Sequence, residues 1–316
     1  MSVPLLIAHR GAPYVLPENT LESCRYAVEL LGYRVLEIDV CLSRDGVPFL
    51  WHDAHPNALY ALWRESGLRG DGLFAPRVPL PGTRLRKPVG RLDFETIKEH
   101  FGYHCIVRMP RRNATEHAVA CAIPTLAEFF DWMSRTTQLE HVFLDIKLTD
   151  PNRATELVEA VTVALQSTSE ALYERITLLS MDKAFLEALA AAKQRTNSAL
   201  RLGYTLELRL QSVVSPGKCR PDALANKLGL NVITAGSAVW RIPFLKSIFR
   251  KIVTAQVARL DAWRTTNPSS APSFYVWTIN HPVMIAEFAQ LGIDGIVTDN
   301  IPKHDFDSVA IVPTTI

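Results

Sequence analysis

The chain has 316 residues, 48% of them hydrophobic and 21% charged, which is enough apolar material for a large core and excludes a disordered or fibrous protein. Its 34 Lys and Arg nearly balance 32 Asp and Glu, so no broad basic field marks a nucleic-acid partner, and any anion binding must be local. The cysteines, Cys24, Cys41, Cys105, Cys121 and Cys219, are scattered without a Cys-x-x-Cys pair, which argues against a disulfide framework or a zinc ribbon.

Taken in chain order, the first apolar run, Val3 to Ala8, is too short for a signal peptide and lacks a basic flank. No uninterrupted apolar run approaches the roughly 20 residues that span a bilayer, and the chain reads as cytoplasmic. Leu5–His9 is the first predicted strand. In Asn19-Thr20-Leu21-Glu22, Asn19 is expected to cap a helix from Leu21 to Leu31 while Glu22 reaches back, and Gly32 stops it. Val35–Val40 is the second strand; a short run, Val47 to Trp51, follows the turn Arg44-Asp45-Gly46. From Ala54 to Ile123 the chain is rich in Pro, Gly and Arg and has no long periodic run, so this stretch is expected to be an elaboration. Asn113-Ala114-Thr115 matches a glycosylation sequon, which carries no weight in a chain read as cytoplasmic.

Beyond it, strands are predicted at Val142–Leu148, Ile176–Ser180, Leu202–Leu206, Val232–Ala235, Phe274–Ile279 and Gly295–Thr298, the fourth of these six only weakly marked. Helices alternate with them, the last opened by Pro282 and ended by Gly292. Buried parallel strands alternating with helices give an α/β fold, either a closed barrel or a doubly wound sheet. No Gly-x-Gly-x-x-Gly follows a strand, which weighs against a dinucleotide site. The expectation is one (β/α)8 TIM-barrel domain over 1–316, with an insertion at about 54–122 after the His52-Asp53 motif and an irregular stretch at Ser212 to Asp222.

Polar residues gather where the predicted strands end, and in a barrel these ends form the active face. His9 and Arg10 close the first strand. Glu37 and Asp39 lie two apart on the second, so their side chains share a face; Asp145 and Lys147 repeat that spacing on the third. His52 and Asp53 follow the short run, and Trp277 and Asp299 finish the last two strands. Buried charges at this density are destabilising without a ligand. Three carboxylates without a thiol suit a hard cation, Mg²⁺ or Ca²⁺, better than zinc. Arg10 and Lys147 can hold the remaining phosphate oxygens, and His9 and His52 titrate near neutrality as an acid–base pair.

The ordered set His9-Arg10-Gly11, Pro17-Glu18-Asn19-Thr20, Glu37-Ile38-Asp39, Asp45-Gly46, His52-Asp53, Ile123-Pro124-Thr125-Leu126 and Trp277-Thr278-Ile279-Asn280 resembles the glycerophosphodiester phosphodiesterase family, and the match returns at Asp294 to Asp299. The resemblance implies a TIM barrel with Glu37 and Asp39 as metal ligands and His9 and His52 as catalytic acid and base. It implies hydrolysis of a small-molecule glycerophosphodiester to glycerol 3-phosphate and an alcohol; the carboxylates suit one divalent cation, Mg²⁺ or Ca²⁺, with Mn²⁺ a further candidate. Arg10 is expected to serve both catalysis and substrate binding, and Lys147 and Trp277 substrate binding. Two features depart from the family: Asp145-Ile146-Lys147 stands where relatives carry Glu-x-Lys, and Asp299-Asn300-Ile301-Pro302 has an extra residue before the Pro.

Other readings stand beside this one. Phe244, Leu245, Ile248, Phe249, Ile252 and Val253 make an apolar stripe with Arg241, Lys246, Arg250 and Lys251 beside it. A helix over 240–257 could therefore touch an anionic membrane and serve a lysophospholipase D, or pack its stripe against the barrel. Glu37 and Asp145 could be the paired carboxylates of a glycosidase, although Arg10 and Lys147 suit a phosphate rather than a neutral sugar. A catalytically silent barrel that binds a phospho-ligand is the non-enzymatic alternative. His100 and His104 sit four apart and would share a helix face, without an evident third metal ligand.

Overall fold

The computed structural model describes residues 4–67, 74–107, 115–119, 121–148, 150–166, 170–196, 199–207, 221–236, 243–267 and 271–299. The sequon Asn113-Ala114, Cys219, most of Ser212 to Asp222, Trp240 to Ile242 and Asn300 to Pro302 lie outside the described residues.

The strands are β1 (Leu5–His9), β2 (Val35–Leu42), β3 (Pro48–Leu50), β4 (Phe74–Arg77), β5 (Gly102–Val107), β6 (Thr115–Val119), β7 (His141–Ile146), β8 (Ile176–Ser180), β9 (Arg201–Glu207), β10 (Val232–Gly236), β11 (Ser273–Trp277) and β12 (Gly295–Thr298). The helices are α1 (Leu21–Arg25), α2 (Leu59–Glu65), α3 (Phe94–His100), α4 (Leu126–Arg135), α5 (Ala154–Gln166), α6 (Lys183–Thr196), α7 (Pro221–Leu228), α8 (Pro243–Thr266) and α9 (Pro282–Ala289). Eight strands pair in parallel in the cyclic order β1-β2-β7-β8-β9-β10-β11-β12, and β12 returns to β1, closing a (β/α)8 barrel. β3 lies antiparallel on the outer edge of β2, and β4, β5 and β6 form a separate antiparallel sheet within the predicted elaboration.

The period-two alternation of the strands sorts their side chains into two cores. Ile7, Val35, Phe143, Leu179, Tyr275 and Val297 fill the barrel interior. Leu36, Ile38, Leu144, Leu178, Ile233 and Ile296, on the opposite faces, pack under the helices. A third cluster, built on Phe49, Trp51, Phe94, Phe101 and Tyr103, seats the inserted segment on β3.

Three local expectations change. Thr20, not Asn19, caps α1, its side chain accepting from the Ser23 amide. Asn19 is drawn elsewhere because both ends of its amide bind Asp39: Nδ2 donates to Oδ2 at 2.8 Å, and Oδ1 accepts from the Asp39 amide at 3.0 Å. After α1 the chain continues as a π-helical turn over Tyr26–Leu30 before Gly32 ends it at φ 76°. His100 ends α3 whereas His104 lies in β5, buried, so a helix never brings the two together.

The stripe on α8 faces inward over its described side chains. Phe249, Val253, Val257 and Leu260 are buried, the Phe249 ring lies 5.9 Å from that of Phe288 on α9, and Lys246 pairs with Glu287 at 2.8 Å. The side chains of Phe244 and Leu245 lie outside the described residues. Phe249 and Val253 of the stripe pack on the barrel, and Ile248 and Ile252 are half-buried. Among the described residues no helix is long and apolar enough to cross a membrane.

Candidate active site

The C-terminal ends of β1, β2, β7 and β12 bring His9, Glu37, Asp39, Asp145, Lys147 and Asp299 together. Register explains the convergence: His9 stands beside Glu37, and Asp39 beside Asp145. One carboxylate oxygen from each of Glu37, Asp39 and Asp145 lies within 4.8 Å of the others, all three residues being buried. The shorter arm of Asp145 therefore still reaches the cluster.

Glu37 Oε2, Asp39 Oδ1 and Asp145 Oδ1 are buried without a hydrogen-bond partner. Lys147 Nζ pairs with Asp145 Oδ2 at 2.6 Å and with Asp39 Oδ1 at 3.0 Å, the latter outside hydrogen-bond alignment. Burial pushes the Glu37 carboxyl well up, and the neighbouring Asp39 and Asp145 push it further. Burial likewise raises Asp145, with Asp39 adding to it. For Asp39 burial acts in the same sense, but Arg10 and Lys147 outweigh it and hold the carboxyl well below its usual range. The cluster thus has more acidic oxygens than Lys147 and Arg10 can neutralise. An all-oxygen donor set with an excess of negative charge fits a hard divalent cation.

Arg10 adopts φ 57°, an unusual conformation for a non-glycine residue, and its amide donates to the Glu37 carbonyl at 2.7 Å. This bend turns the guanidinium into the site. Nη1 donates to Glu18 Oε2 at 3.0 Å, and Nε lies 2.8 Å from Asp39 Oδ2. Gly11 follows at φ 90° because an added Cβ would fall 2.5 Å from Ser23 Oγ.

Each histidine is held by a carboxylate on its Nδ1. His9 Nδ1 meets Asp299, at the end of β12, in a short contact, while Nε2 lies 3.7 Å from Glu37 Oε2. Asp299 is itself fixed by Asn280, whose Nδ2 donates at 2.5 Å and whose Oδ1 accepts from the Asp299 amide at 2.9 Å. His52 Nδ1 meets Asp53 Oδ1 at 2.7 Å, and the Tyr60 ring, on α2, stands edge-on to the imidazole at 5.7 Å. Burial lowers the pKa of both histidines, and the Arg10 charge lowers both further, His52 to about 4.

Residues 9–303 match the glycerophosphoryl diester phosphodiesterase family across nearly the whole chain. The chain belongs to that family. A glycerophosphoinositol inositolphosphodiesterase of Homo sapiens is 58% identical over 52 residues, which cover 16% of this chain and only 10% of that protein's length. A putative glycerophosphoryl diester phosphodiesterase of Silicibacter pomeroyi superimposes with a TM-score of 0.69 at 22% identity, covering 99% of this chain and 96% of its own. A phosphodiesterase of Oleispira antarctica, solved in complex with the product sn-glycerol-3-phosphate, has a TM-score of 0.62 at 19% identity and covers 97% of each chain. These two solved structures share the barrel fold of this family member.

All eight predicted site residues lie at the C-terminal face, but Trp277 stands on the far side of the barrel from the triad. It ends β11, half-buried, against Gly236, where an added Cβ would fall 2.2 Å from the Trp277 ring. Four polar residues now have parts the motif reading did not give them. Glu18 pairs with Arg10, and Asp299, which finishes the last strand, holds His9. Asn280 holds Asp299, and Arg64 reaches both Glu18 and Asp53. Glu18, Asn280 and Asp299 belong to motif stretches that could have revealed them. Arg64 lies in the irregular stretch, where no pattern singles it out.

Proposed function

We propose that this chain is a phosphoric diester hydrolase that cleaves glycerophosphodiesters to glycerol 3-phosphate and an alcohol, the barrel and the inserted segment acting as one catalytic unit. The observation that carries the reading is the pairing of two carboxylate-held imidazoles, His9 and His52, with a buried Glu37–Asp39–Asp145 cluster and two cations. Glu37, Asp39 and Asp145 would hold Mg²⁺, Ca²⁺ or Mn²⁺, whose chemistry there is to neutralise charge on the nonbridging phosphate oxygens.

Arg10 donates Nη1 to Glu18 and pairs its charge with Asp39, and Nη2 faces a phosphate oxygen in this reading. Lys147, charged because Asp145 and Asp39 outweigh its burial, offers a second contact. With Nδ1–H donated to Asp299 or Asp53, each histidine turns Nε2 toward the substrate, bare in the base and protonated in the acid. One imidazole takes the proton of the nucleophile, water or the glycerol 2-hydroxyl; the other returns a proton to the leaving alkoxide. Trp277 provides an apolar wall for the glycerol or the head group.

A second reading, lysophospholipid hydrolysis, is favoured by one observation. On α2, Leu59, Leu62 and Trp63 are 86%, 40% and 42% exposed, next to Tyr60 at His52, so an acyl chain would find an apolar face beside the catalytic group.

The test is release of glycerol 3-phosphate from glycerophosphocholine and from lysophosphatidylcholine, in EDTA and then with Mg²⁺, Ca²⁺ or Mn²⁺, with His9→Ala as control. Metal-dependent turnover that the control loses supports the proposal and ranks the substrates. No turnover of either substrate with any of the three metals overturns it.

A further inference from the structure

Arg64 lies on α2, in the inserted segment, and its side chain is 5% exposed. Its Nε donates to Asp53 Oδ2 at 3.1 Å, and Nη2 donates to Glu18 Oε1 in a short contact. The other oxygen of each carboxylate is already engaged: Asp53 Oδ1 holds His52 Nδ1 at 2.7 Å, and Glu18 Oε2 accepts from Arg10 Nη1 at 3.0 Å. One guanidinium therefore joins two chains of contact, Arg64–Asp53–His52 and Arg64–Glu18–Arg10, that end on an imidazole and on a phosphate-facing cation.

The helix that carries Arg64 is fixed from outside the site. Arg86, 2% exposed in its side chain, grips Glu65 with two nitrogens at 3.0 and 2.6 Å. It also donates to Asn57 Oδ1 at 2.8 Å, to the Pro56 carbonyl at 2.9 Å and to the Pro79 carbonyl at 2.7 Å. Both ends of α2 are thereby tied to the loop between β4 and α3, and Arg64 is presented from a rigid support.

We infer that Arg64 is a positioning residue for the proposed hydrolysis, locking His52 through Asp53 and Arg10 through Glu18 so that the inserted segment sets the geometry of both. The inference rests on the proposed phosphodiesterase reading. A bland role, neutralising two buried carboxylates, needs only a positive charge near them. Positioning needs the fork, because Nε and Nη2 serve different carboxylates, and an ammonium group at the end of a flexible stem cannot hold both in these directions.

Arg64→Lys separates the two. Charge neutralisation alone predicts wild-type kcat; positioning predicts a fall of about 10–100-fold, the size typical of groups that orient catalytic or ligating side chains. Arg64→Ala, supplied with guanidinium chloride, is expected to recover part of the lost rate, whereas an equal concentration of ammonium is not. In a double-mutant cycle, Asp53→Asn in the Arg64→Lys background is expected to lower kcat by less than about threefold more, because the two changes break one chain of contacts. A folded Arg64→Lys variant with wild-type kcat, or single effects that multiply independently, overturns the inference.

A second readout does not depend on turnover. In protein labelled with ¹⁵N-histidine, the His52 resonances, identified by their loss in His52→Gln, are expected to report a fixed Nδ1–H tautomer. Arg64→Lys is expected to shift them toward a tautomer mixture, and an unchanged spectrum overturns the inference. If the wild type turns over no diester, the functional reading fails, and the tautomer result decides the part played by Arg64.

Discussion

The rim of the barrel and the edge where the inserted segment joins it hold their catalytic candidates in different ways. His9, Glu37, Asp39 and Asp145 stand on β1, β2 and β7, where parallel ladders with fixed register set their spacing. His52 stands beyond β3, a three-residue strand outside the closed barrel, and depends on Asp53, Arg64 and Tyr60 for its orientation. Backbone hydrogen bonds shared with the core make the first group hard to displace. Side-chain contacts hold the second, so single substitutions remote from the chemistry should disturb it more.

The largest effect expected is on rate. His9→Ala and His52→Ala should each lower kcat on glycerophosphocholine by about 10²–10⁴-fold, as loss of a general acid or base does, with thermal melting little changed. If His52→Ala retained wild-type turnover, the inserted segment would have no acid–base group to position and the comparison would collapse to the rim alone.

Next comes Arg86→Met. It removes the grip on Glu65 and leaves the Pro56 and Pro79 carbonyls without their donor, a local loss of about 3 kcal/mol. Limited proteolysis should then cut first within 54–122, with kcat reduced while the barrel melts near its original temperature. Cleavage spread evenly along the chain would show instead that the inserted segment and the barrel open together.

Asp299→Asn should be milder, about 10–100-fold in kcat, because Asn can still accept from Nδ1 but no longer stabilises a charged imidazolium. Steady-state kinetics beside Asp53→Asn would compare the two histidine supports directly. A larger loss at Asp53 is expected, since Asp53 also anchors Arg64 whereas Asp299 keeps its backbone bond to Asn280.

What the sequence made legible follows the same division. Continuous apolar runs of strand length located every barrel strand, Ile176–Ser180 and Gly295–Thr298 to the residue, because a buried parallel strand must be apolar on both faces. Even the weakly marked Val232–Ala235 is a barrel strand, β10. The spacing of Glu37 with Asp39, and of Asp145 with Lys147, placed those pairs on shared faces. The inserted segment resisted the same reading. Its helix α2 is seven residues long, too short to show a period, and its sheet joins β4 to β5 across more than twenty residues. Arg64 has its place through contacts to Glu18, 46 positions away, and to Asp53, and no local pattern encodes such a pair. Asn19 was misjudged for a related reason: a cap is a local contact, whereas its partner, Asp39, lies 20 positions on.

The smallest effect separates a buried histidine of the fold from the two at the site. His141 opens β7, at the end of the barrel opposite the carboxylates, and its Nε2 bonds Thr177 Oγ1 at 2.9 Å. Burial, assisted by the charges of Arg201 and Arg175, lowers its pKa from 6.5 to about 3. The native state therefore keeps His141 neutral where the unfolded chain would already be protonated, so below pH 6.5 the unfolded state binds the extra proton and stability falls as the medium is acidified. Between pH 7 and pH 5.5 this one group should remove about 1 kcal/mol, readable as a lower midpoint in urea melts. His141→Gln can still bond Thr177 but does not titrate, so its midpoint should fall less over the same interval, with kcat on glycerophosphocholine unchanged. An identical pH slope in the variant would assign the acid loss to other groups, His52 first among them, since burial and Arg10 hold it neutral down to about pH 4. Stability that depends on the site histidine and not on His141 would mean that the edge where the inserted segment joins, rather than the barrel floor, sets the acid limit of the fold.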